Sequence, residues 1–314
     1  MSFSTEVKNE LARTEPQKKS SQLAEIAGFV RVAGSIRLEG GGRFRIVLTT
    51  DNPAIARHYM RLFKEYFRIE PELEIGEASG LVKGHSYMLT IGPKAGSEQI
   101  LRETGILLVR EGNNYISDGI YEDVTKTKSD RKAYLRGIFL GAGSVTDPQK
   151  SYHLEMICAT DILARDLTKL INTFVDLTAK IVERRGRYVV YMKSSAYIRD
   201  TLAIMGANSH VLVFDDVMIK KQMMNDTVRI TNCDSANTDR TLDASQRQIA
   251  AILSLKEKGE LARLPYRLRE IAELRLENPE ASLQDLGDIL DPPLKKSGVS
   301  NRIRKLMEAA ETNK

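Results

Sequence analysis

Apolar and polar positions repeat along this chain on two length scales. Ile26-Ala27-Gly28-Phe29-Val30-Arg31-Val32-Ala33-Gly34-Ser35-Ile36 returns as Leu135-Arg136-Gly137-Ile138-Phe139-Leu140-Gly141-Ala142-Gly143-Ser144-Val145, 109 residues later. In each copy a helical apolar run closes on Gly-Ser and passes into a strand-like segment, which marks a duplicated unit. A turn signal follows (Gly40-Gly41-Gly42; Asp147-Pro148), then a second strand over 43–50 or 152–159, closed by Thr50-Asp51 or Thr160-Asp161. Helical spacing predicts helices at 53–67 and 162–177, strands at 73–77, 87–91, 180–183 and 187–192, and short helices at 97–104 and 196–205. Each half, about 21–120 and 121–228, therefore reads αββαββα, after an N-terminal helical segment over 1–20.

Gly28 and Gly137 sit inside the two repeated helices, where glycine costs roughly 1 kcal/mol against alanine. The cost is repaid if another backbone passes close by, and the simplest such backbone is the other copy. Two helices meeting at their small residues predict a pseudo-twofold interface, with the two sheets curving into one concave surface. The closing Gly-Ser and the duplicated αββαββα unit resemble the LAGLIDADG homing endonuclease fold. Laid on that motif, 26–34 and 135–143 fill all nine positions, and the resemblance implies an acidic metal ligand at the penultimate one. Here those positions are Ala33 and Ala142. Alanine offers a divalent cation no oxygen, so no catalytic residue, metal or cofactor is expected, and the repeat reads as a nuclease scaffold without its active site.

After residue 228 the pattern changes. The segment 229–240 is rich in Asn, Asp, Thr and Ser without an apolar period and reads as a linker, so that a further domain occupies 241–314. Helices are expected at 245–258 and 264–276. Ser282, with Asp285 three residues on, caps a short helix at 283–290; Asp291-Pro292-Pro293 breaks the chain, and a last helix runs over 299–310. Short helix, turn and basic helix are the helix-turn-helix layout, whose second helix enters the major groove. Between Asp291 and Glu308 there is no acidic residue, while Lys295, Lys296, Arg302, Arg304 and Lys305 are all basic. With Val299, Ile303 and Leu306 facing inward, Ser300, Asn301, Arg302, Arg304 and Lys305 are left on the outer face, where the polar residues and arginines can read base edges while Lys295, Lys296 and Lys305 hold phosphates. Ser282 and Ser297 complete the expected DNA-binding set.

Composition adds little to this. A net charge of +5 favours a polyanionic partner only moderately; Arg184-Arg185-Gly186-Arg187, at an expected hairpin tip, is a second candidate DNA contact. Cys158 and Cys233 lack metal or disulfide spacing, and the four histidines are scattered, so each is read as structural. No apolar run spans a bilayer and residues 1–15 do not look like a signal sequence, which points to a cytoplasmic, nucleoid-associated protein. The fold class expected is α+β: a duplicated LAGLIDADG-like pseudo-dimeric domain followed by an all-α helix-turn-helix domain.

That combination resembles the WhiA regulators. The resemblance is carried by 134–140, Tyr152-His153-Leu154-Glu155, Asn232-Cys233, Ala236-Asn237, Leu264-Pro265 and Lys296-Ser297-Gly298-Val299. It implies sequence-specific binding of double-stranded DNA, regulation of transcription, and a link to sporulation, cell division and chromosome segregation. Two other classes are open on the residues alone: an active nuclease using Glu39, Asp51 or Asp161, and a protein-interaction module docking a partner or another regulator on the repeated domain.

Overall fold

The computed structural model describes residues 1–77 and 85–312. They fall into two compact units, 1–220 and 221–314. The first contains α1 (Phe3–Leu11), α2 (Lys19–Ala33), β1 (Gly34–Glu39), β2 (Arg43–Thr50), α3 (Pro53–Phe67), β3 (Glu72–Glu77), β4 (His85–Ile91), α4 (Ser97–Glu103) and a hairpin, β5 (Leu107–Arg110) with β6 (Asn113–Ile116). Its second half runs α5 (Lys128–Ala142), β7 (Gly143–Val145), β8 (Leu154–Cys158), α6 (Asp161–Asn172), β9 (Lys180–Arg184), β10 (Arg187–Met192) and α7 (Ser195–Met205). Both halves are αββαββα, and their sheets have the same order, β1-β2-β4-β3 and β7-β8-β10-β9, with antiparallel pairing throughout.

Local chemistry explains the boundaries. Asn52 Oδ1 accepts from the Ala54 amide at 2.8 Å and Pro53 opens α3, where its missing N–H costs nothing. Thr127 and Asp130 form a reciprocal capping box on α5. Gly41 and Gly42 turn β1 into β2 at φ 76° and 72°, a backbone that L side chains resist. α6 stops at Asn172, five residues before the expected end, and the chain beyond its cap Thr173 turns at Asp176 with φ 62°.

α2 and α5 pack side by side at the centre. A Cβ on Gly28 would lie 2.4 Å from the Tyr134 carbonyl oxygen, and one on Gly137 would lie 2.2 Å from that of Glu25. Each glycine therefore occupies the spot where the other helix's backbone passes, as the duplicated spacing predicts. Phe29, Tyr59, Phe63, Tyr134 and Phe139 fill the core around this seam. Cys158 is buried in it, and burial pushes its thiol up to about 12; the Cys233 side chain lies outside those described.

The expected linker is where the structure departs most from the sequence reading. Residues 229–240 are helical, within α8 (Asn208–Glu257), and the boundary between units falls at Lys220/Lys221 instead of around 228–241. The segment is polar but contains neither glycine nor proline. Thr227, Thr231 and Thr241 each donate a hydroxyl to the carbonyl four residues back, so these side chains do not compete for the helix's amides. In the second unit the end of α8 is followed by α9 (Tyr266–Glu277), α10 (Leu283–Ile289) and α11 (Lys296–Thr312). Ile252, Leu255, Ile271, Leu286, Val299, Ile303 and Leu306 form its separate core. Among the described residues no helix is long and apolar enough to cross a membrane.

Candidate nucleic-acid interface

The second unit builds its exposed basic helix from the inside. Ser282 Oγ accepts from the Asp285 amide at 3.2 Å, while the Asp285 carboxylate accepts from the Ser282 amide at 2.8 Å, which starts α10. The same contacts hold the Asp285 carboxyl below its usual pKa. After Leu290 the chain folds back over α10: the Leu294 amide donates to the Gly287 carbonyl at 2.9 Å, and a Cβ on Gly287 would lie 2.1 Å from the Leu294 oxygen. Only glycine lets the turn approach this closely. Gly287→Ala should force turn and helix apart at a cost of about 2 kcal/mol or more, seen as a lowered melting transition of the second unit and reduced DNA affinity.

Arg275, on α9, fixes the loop before α10. It is 1% exposed, and its Nη1 donates to the Ala281 carbonyl at 2.6 Å and the Asn278 carbonyl at 3.4 Å. Burial holds its guanidinium below the usual value. The sequence offers no signal for this role, because an arginine in an amphipathic helix ordinarily faces water.

α11 buries Val299, Ile303 and Leu306 and turns Ser297, Ser300, Asn301, Arg304 and Lys305 outward, with Lys295 and Lys296 exposed at its start. Its first turn holds no acidic residue, so the positive end of the helix dipole is uncompensated. Arg304 Nη2 donates to Asn301 Oδ1 at 3.0 Å, and its Nη1 lies 2.7 Å from Glu308. Both pairs are solvent-exposed, hence weak and available for exchange onto DNA.

Two expected residues sit elsewhere. Arg302 points sideways to α9, with Nη1 3.1 Å from Glu270 and its side chain 20% exposed. It holds α11 against α9 and does not share the outer face. The Ser282 hydroxyl is committed to the α10 cap. Arg302 lies beside the buried Val299 and Leu306 on the helix wheel, a border position where periodicity does not separate outward from sideways.

In the first unit Ala33 and Ala142 end α2 and α5, each immediately before the glycine that starts the next strand. Glu25, Glu39, Asp130 and Asp161 are engaged by other groups, whereas Asp51 lines a cavity with Gly143 and Ser144, directly after Ala142. Glu25 is fully buried, with Oε1 2.7 Å from His58 Nε2 and Oε2 2.6 Å from Arg136 Nη2. Glu39 pairs with Arg45 at 2.5 Å, Asp161 with Arg165 at 2.7 Å, and Asp130 accepts from Ser21 at 2.8 Å. Among the described residues no group of three or more His, Cys, Asp or Glu could hold a metal ion. A divalent cation bound as in the endonuclease fold does not fit these positions. At the other end of the second sheet, Arg184 and Arg187 stand opposite one another across β9–β10, exposed, while Arg185 and Gly186 make the turn at φ 51° and 72°. Arg184 lies 3.8 Å from Glu155.

A duplicated LAGLIDADG-like scaffold followed by a helix-turn-helix unit defines a class of two-part protein. The signatures of the WhiA N-terminal LAGLIDADG-like domain, the WhiA LAGLIDADG-like domain and the WhiA C-terminal HTH domain match residues 19–107, 131–224 and 227–310. The chain belongs to the WhiA family. It is 46% identical over 312 residues to the probable cell division protein WhiA of Alkaliphilus oremlandii, covering 99% of this chain and 97% of that one. With the same protein of Thermoanaerobacter pseudethanolicus it shares 42% over 311 residues, covering 99% and 98%. The crystal structure of full-length DUF199/WhiA from Thermatoga maritima aligns over 99% of each chain at 26% identity and a TM-score of 0.60. The N-terminal LAGLIDADG domain of DUF199/WhiA, at 23% identity, covers 65% of this chain and 90% of its own with a TM-score of 0.51, a likeness of fold.

Proposed function

We propose that this protein is a sequence-specific regulator of transcription that reads double-stranded DNA with α11 and does not cleave it. The observation that carries the reading is the outer face of α11, where Ser297, Ser300, Asn301, Arg304 and Lys305 stand exposed beyond a first turn without an acid. Asn301 and Arg304 have the donor geometry for base edges, whereas Lys295, Lys296, Ser297 and Lys305 hold phosphates. Arg184, Arg185 and Arg187 add secondary phosphate contacts from the duplicated domain, which also offers a surface for a protein partner. The relatives' name supports a role tied to cell division. Sporulation, chromosome segregation and a cytoplasmic, nucleoid-associated location are part of the same proposed role, and the helix-turn-helix unit supports the DNA association it needs. No cofactor takes part.

Purified full-length chain incubated with sheared genomic DNA at moderate salt should retain a few promoter fragments with at least about 10³-fold preference over bulk DNA. The variant N301A/R304A should lose on the order of 10²-fold or more of that preference, each base contact contributing roughly 1–3 kcal/mol. Supercoiled plasmid should stay intact with the parent protein and magnesium. Retained selectivity in the variant would move recognition off α11, and magnesium-dependent cutting would restore the nuclease reading.

A further inference from the structure

The cleft between α1 and α3 collects four cations, Lys8, Arg13, Arg57 and Arg61, and among the described residues Arg13 and Arg57 have no ion-pair partner. Two adjoining cavities of about 420 Å³ and about 350 Å³ share Arg13, Ala54 and Arg57 as lining; Lys8 and Asp51 line the first, and Arg61 the second. Each is within the size range of small-ligand sites. Arg13, just past the end of α1, and Arg57, on α3, are exposed to the cleft, and among the described residues neither side chain makes an ion pair or a hydrogen bond. Lys8 is half-buried with its ammonium 5.9 Å from the centre of the Phe139 ring. Burial lowers its pKa, against which the Asp51 charge works. Among the described residues Asp51 is the one acid lining either cavity, and Arg61 alone of the four cations is paired, to Glu15 at 2.7 Å and to Glu65 on its own helix at 3.9 Å.

The duplication supplies an internal control. Counted from the helix caps Asn52 and Thr160, Arg57 and Arg61 fall where α6 carries Arg165 and Lys169. On α6 both cations are neutralised from their own helix, Arg165 by Asp161 at 2.7 Å and Lys169 by Asp166 at 3.6 Å. On α3 the acid is missing at the place that faces α1, and Arg57 is left beside Arg13 and Lys8. Like charges held together around a concave surface repel, and an anion between them relieves the repulsion. Guanidinium groups on facing elements match phosphate oxygens bidentately, and the first turn of α3 adds its dipole.

We propose that this cleft binds a small anion bearing two or more phosphate groups, of nucleotide size, between Lys8, Arg13, Arg57 and Arg61. Two phosphates follow from the spread of the cations over adjoining cavities. A small ligand, and not a duplex, follows from their placement around hollows too small for a 20 Å-wide helix to enter. The proposal stands apart from the DNA-reading role of α11.

Isothermal titration of the full-length chain with ATP, and separately with sodium pyrophosphate, tests it. Both should bind with Kd on the order of 10–100 μM, and R13Q/R57Q should weaken binding at least about 30-fold, the loss of two charge-assisted contacts. R165Q, at the equivalent place on α6, should bind like the parent. Because Arg13 and Arg57 are exposed, the double variant should melt like the parent without ligand, which keeps loss of binding separate from loss of fold. No binding at millimolar ligand, or equal binding by R13Q/R57Q, would overturn the proposal. If a short duplex lost affinity in R13Q/R57Q while ATP and pyrophosphate stayed silent, the cleft would be a DNA-backbone contact and the small-ligand assignment would fall.

Discussion

Glu25→Gln is expected to destabilise the duplicated unit by about 3–5 kcal/mol, measured by urea unfolding of the full-length chain. Glu25 is 0% exposed and joins three elements: its carboxylate on α2 accepts from Arg136 Nε at 2.9 Å and Nη2 at 2.6 Å on α5, and meets His58 on α3 at 2.7 Å. Arg136 in turn donates to the Met205 carbonyl at 3.0 Å, at the end of α7. A neutral amide leaves the 8%-exposed guanidinium buried without its counter-charge. Burial by itself would push the Glu25 carboxyl up, but Arg136 and His58 more than reverse this and hold it below the usual range. A lowered folded pKa means the contribution is complete above the unfolded value, about 4.3, and is lost as pH falls below it. The parent should therefore lose stability on acidification below about pH 4.3, while Glu25→Gln, already without the pair, should show a flatter profile.

Gly137→Ala should cost about 3 kcal/mol, a fall in melting temperature of roughly 6–12 °C for a unit of this size. In an open helix the same change would stabilise by about 1 kcal/mol. Here the added Cβ meets the Glu25 carbonyl oxygen at 2.2 Å and the Phe29 amide nitrogen at 3.0 Å, both backbone atoms of α2 that cannot swing away. Gly28→Ala meets the Tyr134 carbonyl at 2.4 Å and should behave alike. Gly40→Ala, with nothing within 4 Å of its Cβ, is the control and should leave the transition unchanged. A G137A transition within 2 °C of the parent would mean that the two helices do not meet as described.

The repeat was legible because duplication writes the same local rules twice. Gly-Ser at the helix ends, the Gly40-Gly41-Gly42 turn and the caps at Asn52 and Thr160 each depend on residues within four positions, and the structure places elements at all of them. The β5–β6 hairpin has a weak sequence signal because its strands are four residues each and only Leu107 is buried, with its turn at Glu111-Gly112 (φ 52° and 79°) marked by a single glycine. The helix over 229–240 was missed for the opposite reason: polar composition was read as irregular backbone, although no residue there breaks a helix. His58, His153 and His210 are structural as expected, each bonded to a glutamate, yet their partners Glu25, Glu155 and Glu10 came from the fold.

By itself the sequence determined the two αββαββα halves, the glycine seam, the alanines at the metal positions and the order of the helix-turn-helix elements. These follow from periodicity, capping and backbone freedom, which act over a few residues. Only the tertiary structure decided that Arg302 turns to Glu270 and not outward, that Arg275 and Glu25 spend their charges inside the protein, and that Arg13 and Arg57 line the same two cavities, neither with an ion pair of its own. The partner of a charge is chosen by what packing brings within about 4 Å, and residues 32 or 111 positions apart carry no mark of that in their spacing.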